Sequence, residues 1–140
     1  MLNILLVGSD LPLLEGLAQS LASAGFAPVV AQTLRDGREL ALQRAPLVAV
    51  ISRQFAASSP GDTLSIPFAP GGALLLYRSA GAPVFALSPS MQRAVLADLT
   101  LPLERNRLMA LVHHVAGRAR ATGRGRTSGE SDVATPESRM

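Results

Sequence analysis

Three serines stand at or just after apolar stretches that have the length of buried strands: Ser9, Ser52 and Ser88. A serine hydroxyl becomes a good nucleophile only when a neighbouring base takes its proton. His113 and His114 are the only histidines, and both fall on the outer side of a predicted helix near the end of the chain. They could serve as ligands or pH sensors, but adjacent helical positions do not share a face, which favours solvated side chains. The serines are therefore better explained as residues that satisfy backbone groups at turns.

The most informative of these serines is Ser52. It follows residues 47–51, an unbroken apolar run behind a proline, which is typical of a strand buried on both faces. We expect this run to be a central strand of a parallel sheet, and the carboxyl ends of such strands are where open α/β sheets bind ligands. Residues 53–57 contain no carboxylate. The stretch predicts a site from which the catalytic groups are missing.

The composition predicts one soluble domain. The chain has 140 residues, of which 48% are hydrophobic, a length and content that suit a single core. Its first residues run into Gly8 and Ser9 without a basic segment, so they predict a strand and not a signal peptide. The absence of cysteine excludes disulfides and thiolate metal sites, and we expect a cytoplasmic protein.

The charged residues separate a nearly neutral domain from a basic tail. All 13 basic residues are arginine, which excludes any mechanism that needs a lysine amine. Residues 1–117 hold 8 arginines against 7 acids, and residues 118–140 hold 5 arginines against 3 acids. We expect a domain over residues 1–117 and a tail over residues 118–140 that is disordered beyond about residue 120, because it has few apolar residues to bury.

The first half of the domain carries clear local signals. Asn3–Val7 and Ala27–Ala31 are predicted strands, the second at a sheet edge because it contains a proline. Asp10 is placed to cap a first helix, and Gly25 is placed to end it. Thr33 is placed to cap a second helix over residues 34–43.

The second half is harder to divide. Residues 53–70 show no helix signal and predict an ordered flap or a poorly ordered insert, and residues 71–80 predict a short helix. Residues 84–87 and 99–101 are the predicted fourth and fifth strands, and the ten residues between Ser88 and Leu99 are too few for a full helix. Residues 104–116 predict the last helix, with an inward face formed by Leu108, Leu111, Val112 and Val115.

Apolar strands that alternate with helices indicate a doubly wound parallel sheet. The sequence over residues 4–26 resembles the first strand, acidic turn and first helix of the receiver domain of bacterial two-component response regulators. Residues 36–40, 83–88 and 99–102 resemble further segments of that family. The resemblance implies a flavodoxin-like α/β fold with five strands in the order 2-1-3-4-5, and the spacing predicts that its fourth helix is short or missing.

The resemblance fails at the positions that carry receiver chemistry. The family's acidic, magnesium-binding pair falls on Gly8 and Ser9, with Asp10 just beyond, and its phosphorylated aspartate falls on Ser52. The family's hydroxyl residue after strand four is kept as Ser88, and its lysine is replaced by Leu101. Phosphoryl transfer to a carboxylate needs a metal ion held by oxygen ligands and a cation near the transferred group. We therefore expect no phosphorylation, no metal and no cofactor. A relocated acceptor would have to be Asp10, Asp62 or Asp98.

The sequence leaves two classes of function open. The first is a non-enzymatic pseudo-receiver that acts through an unidentified signalling protein or through its own dimer. The second is a small-molecule or nucleotide sensor that uses the polar pocket at the strand ends. A candidate partner surface consists of apolar residues outside the predicted core: Phe55, Leu64, Ile66, Phe68 and Tyr77. The rival role of residues 53–70 is to cover Ser52.

No membrane partner is expected. Binding of nucleic acid is expected at most weakly, through the arginines from Arg118 to Arg126.

Overall fold

The computed structural model describes residues 2–129, and a five-stranded parallel sheet lies at its centre. The strands are β1 Asn3–Val7, β2 Ala27–Ala31, β3 Val48–Ser52, β4 Ala73–Ser79 and β5 Val95–Leu101. Their spatial order is β2-β1-β3-β4-β5, and every neighbouring pair is parallel. The predicted doubly wound, flavodoxin-like sheet of order 2-1-3-4-5 is confirmed.

Helices cover both faces of this sheet. They are α1 Leu11–Ser23, α2 Leu34–Gln43, α3 Arg53–Ser58, α4 Pro60–Leu64, α5 Pro89–Ala94 and α6 Arg105–Gly129. Alternate residues of each strand enter opposite cores, because side chains in a strand point to the two faces in turn. Ile4 and Leu6 of β1 pack with α1 and α6, whereas Leu5 and Val7 pack with residues of α2, α3 and α5.

The local signals of the first half predict its structure correctly. The Asp10 carboxylate caps α1 by accepting a hydrogen bond from Leu13 N at 3.3 Å. Gly25 follows the end of α1 at φ +94°, a conformation that glycine adopts without strain. Thr33 Oγ1 caps α2 by accepting from Asp36 N at 3.1 Å. β2 lies at a sheet edge and β3 at the centre, as predicted.

The prediction that residues 53–70 form a flap or an insert is wrong. They contain α3 and α4, and Ala56 and Ile66 are buried in the core on that face of the sheet. Pro60 is at the start of α4 and Asp62 is in its first turn, two features of helix starts that also occur in turns. The segment is thus part of the layer that covers the sheet, and it does not fold over Ser52 as a lid.

The prediction of a helix over residues 71–80 is also wrong, because this stretch is β4. Leu74 pairs with Ala49 of β3, and Tyr77 pairs with Ser52. Leu74 and Leu76 enter one core, and Leu75 and Tyr77 enter the other. A short apolar run does not show by periodicity whether it is a buried strand or a buried helix. The sheet decides, because a strand buries such a run on both faces.

The prediction that residues 84–87 form the fourth strand is wrong, because the fourth strand is β4. They lie in an irregular connection in which Val84 and Phe85 are exposed. Ser88 therefore ends no strand, and instead it caps α5 by accepting a hydrogen bond from Met91 N at 3.2 Å. The helix between β4 and β5 has only six residues, so the predicted short fourth helix is confirmed. The spacing argument behind this prediction was wrong, because it counted from Ser88 as a strand end. The connection from β4 to β5 is long and mostly irregular.

The last helix is longer than predicted. Leu108, Val112 and Val115 are buried on its inward side, and Leu111 is half-buried. α6 continues to Gly129, and the predicted division into a domain over residues 1–117 and a disordered tail over residues 118–140 stays a prediction. The rest of the tail, residues 130–140, lies outside the described residues. Within residues 2–129 no helix is long and apolar enough to cross a membrane.

Candidate functional site

A cavity of about 290 Å³ lies at the carboxyl ends of β1, β3 and β4. It is lined by residues at or just after the ends of these strands and by part of the connection after β4. Its polar lining residues are Ser9, Asp10, Ser52, Arg53, Gln54, Tyr77, Arg78 and Ser79. Asp10 is the only carboxylate among all the residues that line it. The structure thus brings Ser9, Asp10 and Ser52 together at this edge of the sheet.

Tyr77 fills the space beside Gly8. Its side chain is 3% exposed, and a Cβ atom on Gly8 would lie 2.9 Å from Tyr77 Cζ and overlap Oη. Burial, together with the negative charge of Asp10, raises the pKa of the Tyr77 phenol to about 12. The phenol is therefore neutral at physiological pH. It occupies the volume that a side chain at position 8 would need.

The other residues of the predicted phosphorylation pocket do not all lie at the cavity. Ser52 is half-buried at the end of β3, and Leu101 is buried at the end of β5. Ser88 is the exception, because it caps α5 and does not line the cavity. The serine at the end of the fourth strand is Ser79, its last residue. Its signal is its place directly after the run that contains Tyr77, which becomes visible only when that run is recognised as a strand.

An ion pair joins the end of β3 to β5. Arg53 Nη1 binds the carboxylate of Asp98, and Arg53 Nε donates to the carbonyl oxygen of Phe85 at 2.8 Å. The two charged side chains are 15% and 33% exposed, so solvent screens them only partly. Asp98 Oδ1 is buried and has no hydrogen-bond partner among residues 2–129. The sequence did not predict this pair, because its partners are far apart in the chain.

The end of β5 carries a second, exposed carboxylate. Glu104 accepts a hydrogen bond from the Thr100 backbone N–H at 2.7 Å and another from Arg107 Nη1 at 3.2 Å. These two bonds, the Thr100 bond first, hold the pKa of Glu104 below its usual value. The carboxylate thus fastens the turn between β5 and α6, and its hydrogen bonds are committed to that turn.

Comparison with known proteins gives agreement at the level of structure alone. No family model and no curated protein matches this sequence. Among solved structures, a CheY-like receiver domain from Methanospirillum hungatei JF-1 superposes with a TM-score of 0.66 at 16% identity, over 85% of this chain and 97% of that one. A CheY-like receiver domain from Methylobacillus flagellatus gives 0.67 at 13% identity, over 82% and 98%. NtrX from Brucella abortus, solved in complex with ATP, gives 0.69 at 13% identity over 95% of this chain and 31% of that protein.

The chain has the fold of a response-regulator receiver domain. The strand order, the parallel sheet and the helices on both faces all agree with these structures. In the receiver fold the edge that holds Ser52 is the edge to which the resemblance assigned phosphorylation. The side chains at this edge can therefore be compared with those that phosphorylation requires.

The residues of this receiver fold do not fit a magnesium site. Magnesium takes near-octahedral oxygen coordination and is usually held through carboxylates. Position 8 is a glycine whose side-chain space holds the Tyr77 phenol, and Asp10 already caps α1. Within residues 2–129 no three residues of the types His, Cys, Asp or Glu form a group that could hold a metal ion.

The predicted partner surface is mostly not a surface. Tyr77 and Ile66 are buried, and Phe55 and Phe68 are half-buried against the core that β3 and β4 share with α3. Leu64 alone among the five is exposed. The two histidines are exposed as expected, and the ring of His113 stacks at a tilt on Phe26, with 5.2 Å between the ring centres.

Proposed function

We propose that this protein is a receiver-fold signalling module that does not accept a phosphoryl group and that acts through contact with another protein or with a second copy of itself. The receiver fold supports a role in signal transduction. The observation that carries the rest of the proposal is the packing of Tyr77 against Gly8 at the carboxyl edge of the sheet. We infer that it acts in the cytoplasm and catalyses no reaction.

Three separate requirements of phosphoryl transfer argue against an active site here. The acceptor position holds a serine, whose hydroxyl is a weak nucleophile unless a base takes its proton, and no histidine among residues 2–129 lines the cavity. The metal has no carboxylate at position 8, and that space is filled. The position of the receiver lysine holds Leu101, a buried apolar side chain that cannot neutralise a developing charge. Restoring any one of these groups leaves the other two missing.

The first test is incubation of the whole chain with acetyl phosphate and Mg²⁺, followed by measurement of its intact mass. A receiver domain with a complete set of acidic residues serves as the positive control. We expect the control to gain the mass of a phosphoryl group and this chain to gain none. A stable gain of mass, or a saturable complex with beryllofluoride, would contradict the proposal.

The contact role has its own test. Static light scattering over a range of protein concentrations gives the mass of the particle in solution and so detects a homodimer directly. If the chain stays monomeric at every concentration, contact with itself is excluded and only contact with another protein remains.

A second candidate function is supported by the cavity itself. A volume of about 290 Å³ lined by Asp10, Arg53 and Arg78 suits a small polar ligand, so a small-molecule or nucleotide sensor remains a candidate. A thermal-melting screen with nucleotides and organic anions tests it, because a ligand that binds the folded state raises the melting temperature. An increase that Arg78→Ala abolishes would support the sensor over the contact module.

A further inference from the structure

A groove of about 560 Å³ lies at the amino-terminal ends of β4 and β5, at the other end of these strands from Ser79 and Leu101. Its floor is residues 71–74, the turn before β4 and the start of that strand. Its walls come from α4 and the loop after it, from the junction of α5 with β5, and from α6. The groove is thus bounded by four parts of the chain and is separate from the cavity near Ser52.

Close packing fixes the floor and one wall. Gly71 has φ +80°, and a Cβ atom there would be 3.7 Å from Cβ of Ala119, so α6 runs directly beside the turn. A Cβ on Gly72 would lie only 2.8 Å from Cβ of Phe68. The two glycines therefore allow α6 and Phe68 to approach the turn closely. The groove is part of the packed domain.

The side chains at its rim combine positive charge with apolar surface. Arg93 on α5 and Arg118 on α6 both line the groove, and neither makes an ion pair within residues 2–129. No acidic residue lines it. Leu64 and Leu96 also line it and are 41% and 50% exposed. Two guanidinium groups next to exposed leucines match a ligand that offers carboxylates and apolar groups together.

We propose that this groove binds a short acidic segment of a partner protein, one that carries apolar side chains between its carboxylates. Its carboxylates pair with Arg93 and Arg118, and its apolar side chains cover Leu64 and Leu96. The proposal rests on the contact role proposed above and adds to it the surface and the chemistry of the partner. Charge complementarity favours an acidic segment, and the exposed leucines favour a peptide over nucleic acid, whose phosphates need no apolar surface.

The test is selection of a displayed random-peptide library on the whole chain. We expect the enriched peptides to contain Asp or Glu together with Leu, Ile, Val or Phe. Because both arginines are expected to make charge-assisted bonds, Arg93→Glu/Arg118→Glu should weaken binding of an enriched peptide at least about tenfold. Leu64→Gln/Leu96→Gln should weaken it as well, without any change of charge.

The matched control is Arg35→Glu/Arg105→Glu, which changes the net charge by the same amount at exposed positions in the first turns of α2 and α6. It should leave affinity within about twofold at physiological ionic strength, where screening limits effects of distant charges. All variants are compared by thermal unfolding, so that a loss of binding is not confused with a loss of fold.

Several outcomes would overturn the proposal that this groove binds an acidic segment. These are enrichment of basic peptides, peptides whose binding Arg93→Glu/Arg118→Glu does not alter, no enriched peptide, or single-stranded DNA that displaces the peptide from these arginines. Peptides that bind elsewhere on the chain would contradict the groove as the binding site and would leave the contact role intact. The acetyl phosphate experiment does not depend on peptide binding. A gain of mass in it would contradict the proposed function whatever the peptide selection gives.

Discussion

Gly8 and Tyr77 fit each other as a missing side chain and the group that replaces it. Gly8 directly follows β1 and Tyr77 is in β4, and the Tyr77 phenol lies where a Cβ atom of residue 8 would be. The pairing explains why β4 can bury a tyrosine next to the end of β1 without displacing the backbone. We expect it also to make position 8 intolerant of the acidic residue that the receiver resemblance assigns there.

The first prediction concerns this pair. Gly8→Ala should lower the free energy of unfolding by about 1–3 kcal/mol, as expected when a methyl group is forced into a packed site. Gly8→Ala/Tyr77→Phe should cost less than the sum of the two single variants by at least about 0.5 kcal/mol, because removal of Oη relieves part of the overlap. Urea denaturation of the four proteins of the cycle measures this coupling. Strict additivity would show that the two residues do not compete for the same space.

The second prediction is a loss of stability at high pH. The Tyr77 phenol has its ordinary pKa of 10.0 in the unfolded chain and a pKa of about 12 in the folded one, so folding favours the neutral form. Its contribution is complete below pH 10 and is lost as the pH rises towards 12, at about 1.4 kcal/mol per pH unit.

This titration is unusually easy to observe. Tyr77 is the only tyrosine, and the chain has neither lysine nor cysteine to titrate in the same range. Ultraviolet absorbance of the phenolate reports the folded pKa, and chemical denaturation at several pH values reports the stability. In Tyr77→Phe the slope between pH 10 and 12 should disappear. A phenol that titrates near 10 in the folded protein would contradict the burial of Tyr77.

The third prediction is that one carboxylate does not restore phosphorylation. Ser52→Asp should gain no mass with acetyl phosphate and Mg²⁺, because Leu101 still provides no cation and Tyr77 still fills the space beside Gly8. The same variant should keep its fold, since Ser52 is only half-buried. Intact-mass measurement beside a competent receiver domain checks this. If Ser52→Asp is phosphorylated, the missing acceptor was the sole defect of the site.

The fourth prediction concerns the link from Arg53 to Asp98. Arg53→Met should lower the free energy of unfolding by about 1–3 kcal/mol, because it leaves a partly buried carboxylate without its partner. It should also release the connection after β4, since Arg53 holds the carbonyl of Phe85. Faster hydrogen exchange and proteolysis within residues 80–88 would show that release.

The control for this link is removal of both charges. Arg53→Met/Asp98→Leu should be less destabilised than the sum of the single variants, because no buried charge is left unpaired. Equal exchange rates in residues 80–88 before and after Arg53→Met would mean that the ion pair does not restrain the connection.

The fifth prediction compares two helical glycines. Gly16 in α1 has no atom within 4 Å of the Cβ it would gain, so Gly16→Ala should raise stability by about 0.5–1 kcal/mol through helix propensity alone. Gly37 in α2 would place its Cβ 2.8 Å from Val7 Cγ2. Gly37→Ala should therefore destabilise by about 1–3 kcal/mol despite the same gain in propensity. Thermal unfolding of both variants should give shifts of opposite sign.

The sequence by itself determined the elements whose signals are local. A helix cap needs only a side chain three residues from the backbone group it binds, so Asp10 and Thr33 identified the starts of α1 and α2. The apolar run of residues 47–51 was predicted as a strand from its short length and the proline before it, and β3 covers Val48–Ser52. The identities of Gly8 and Leu101 likewise predicted, without any structure, that the groups for phosphoryl transfer are missing.

In the second half of the chain, only the tertiary structure decided which apolar stretch is a strand. Residues 74–77 are apolar at every position, and only pairing with β3 makes them a strand that buries both faces. The contact of Gly8 with Tyr77 and the ion pair of Arg53 with Asp98 join residues far apart in the chain. Such contacts depend on which strands become neighbours, and no local spacing of residues records that choice.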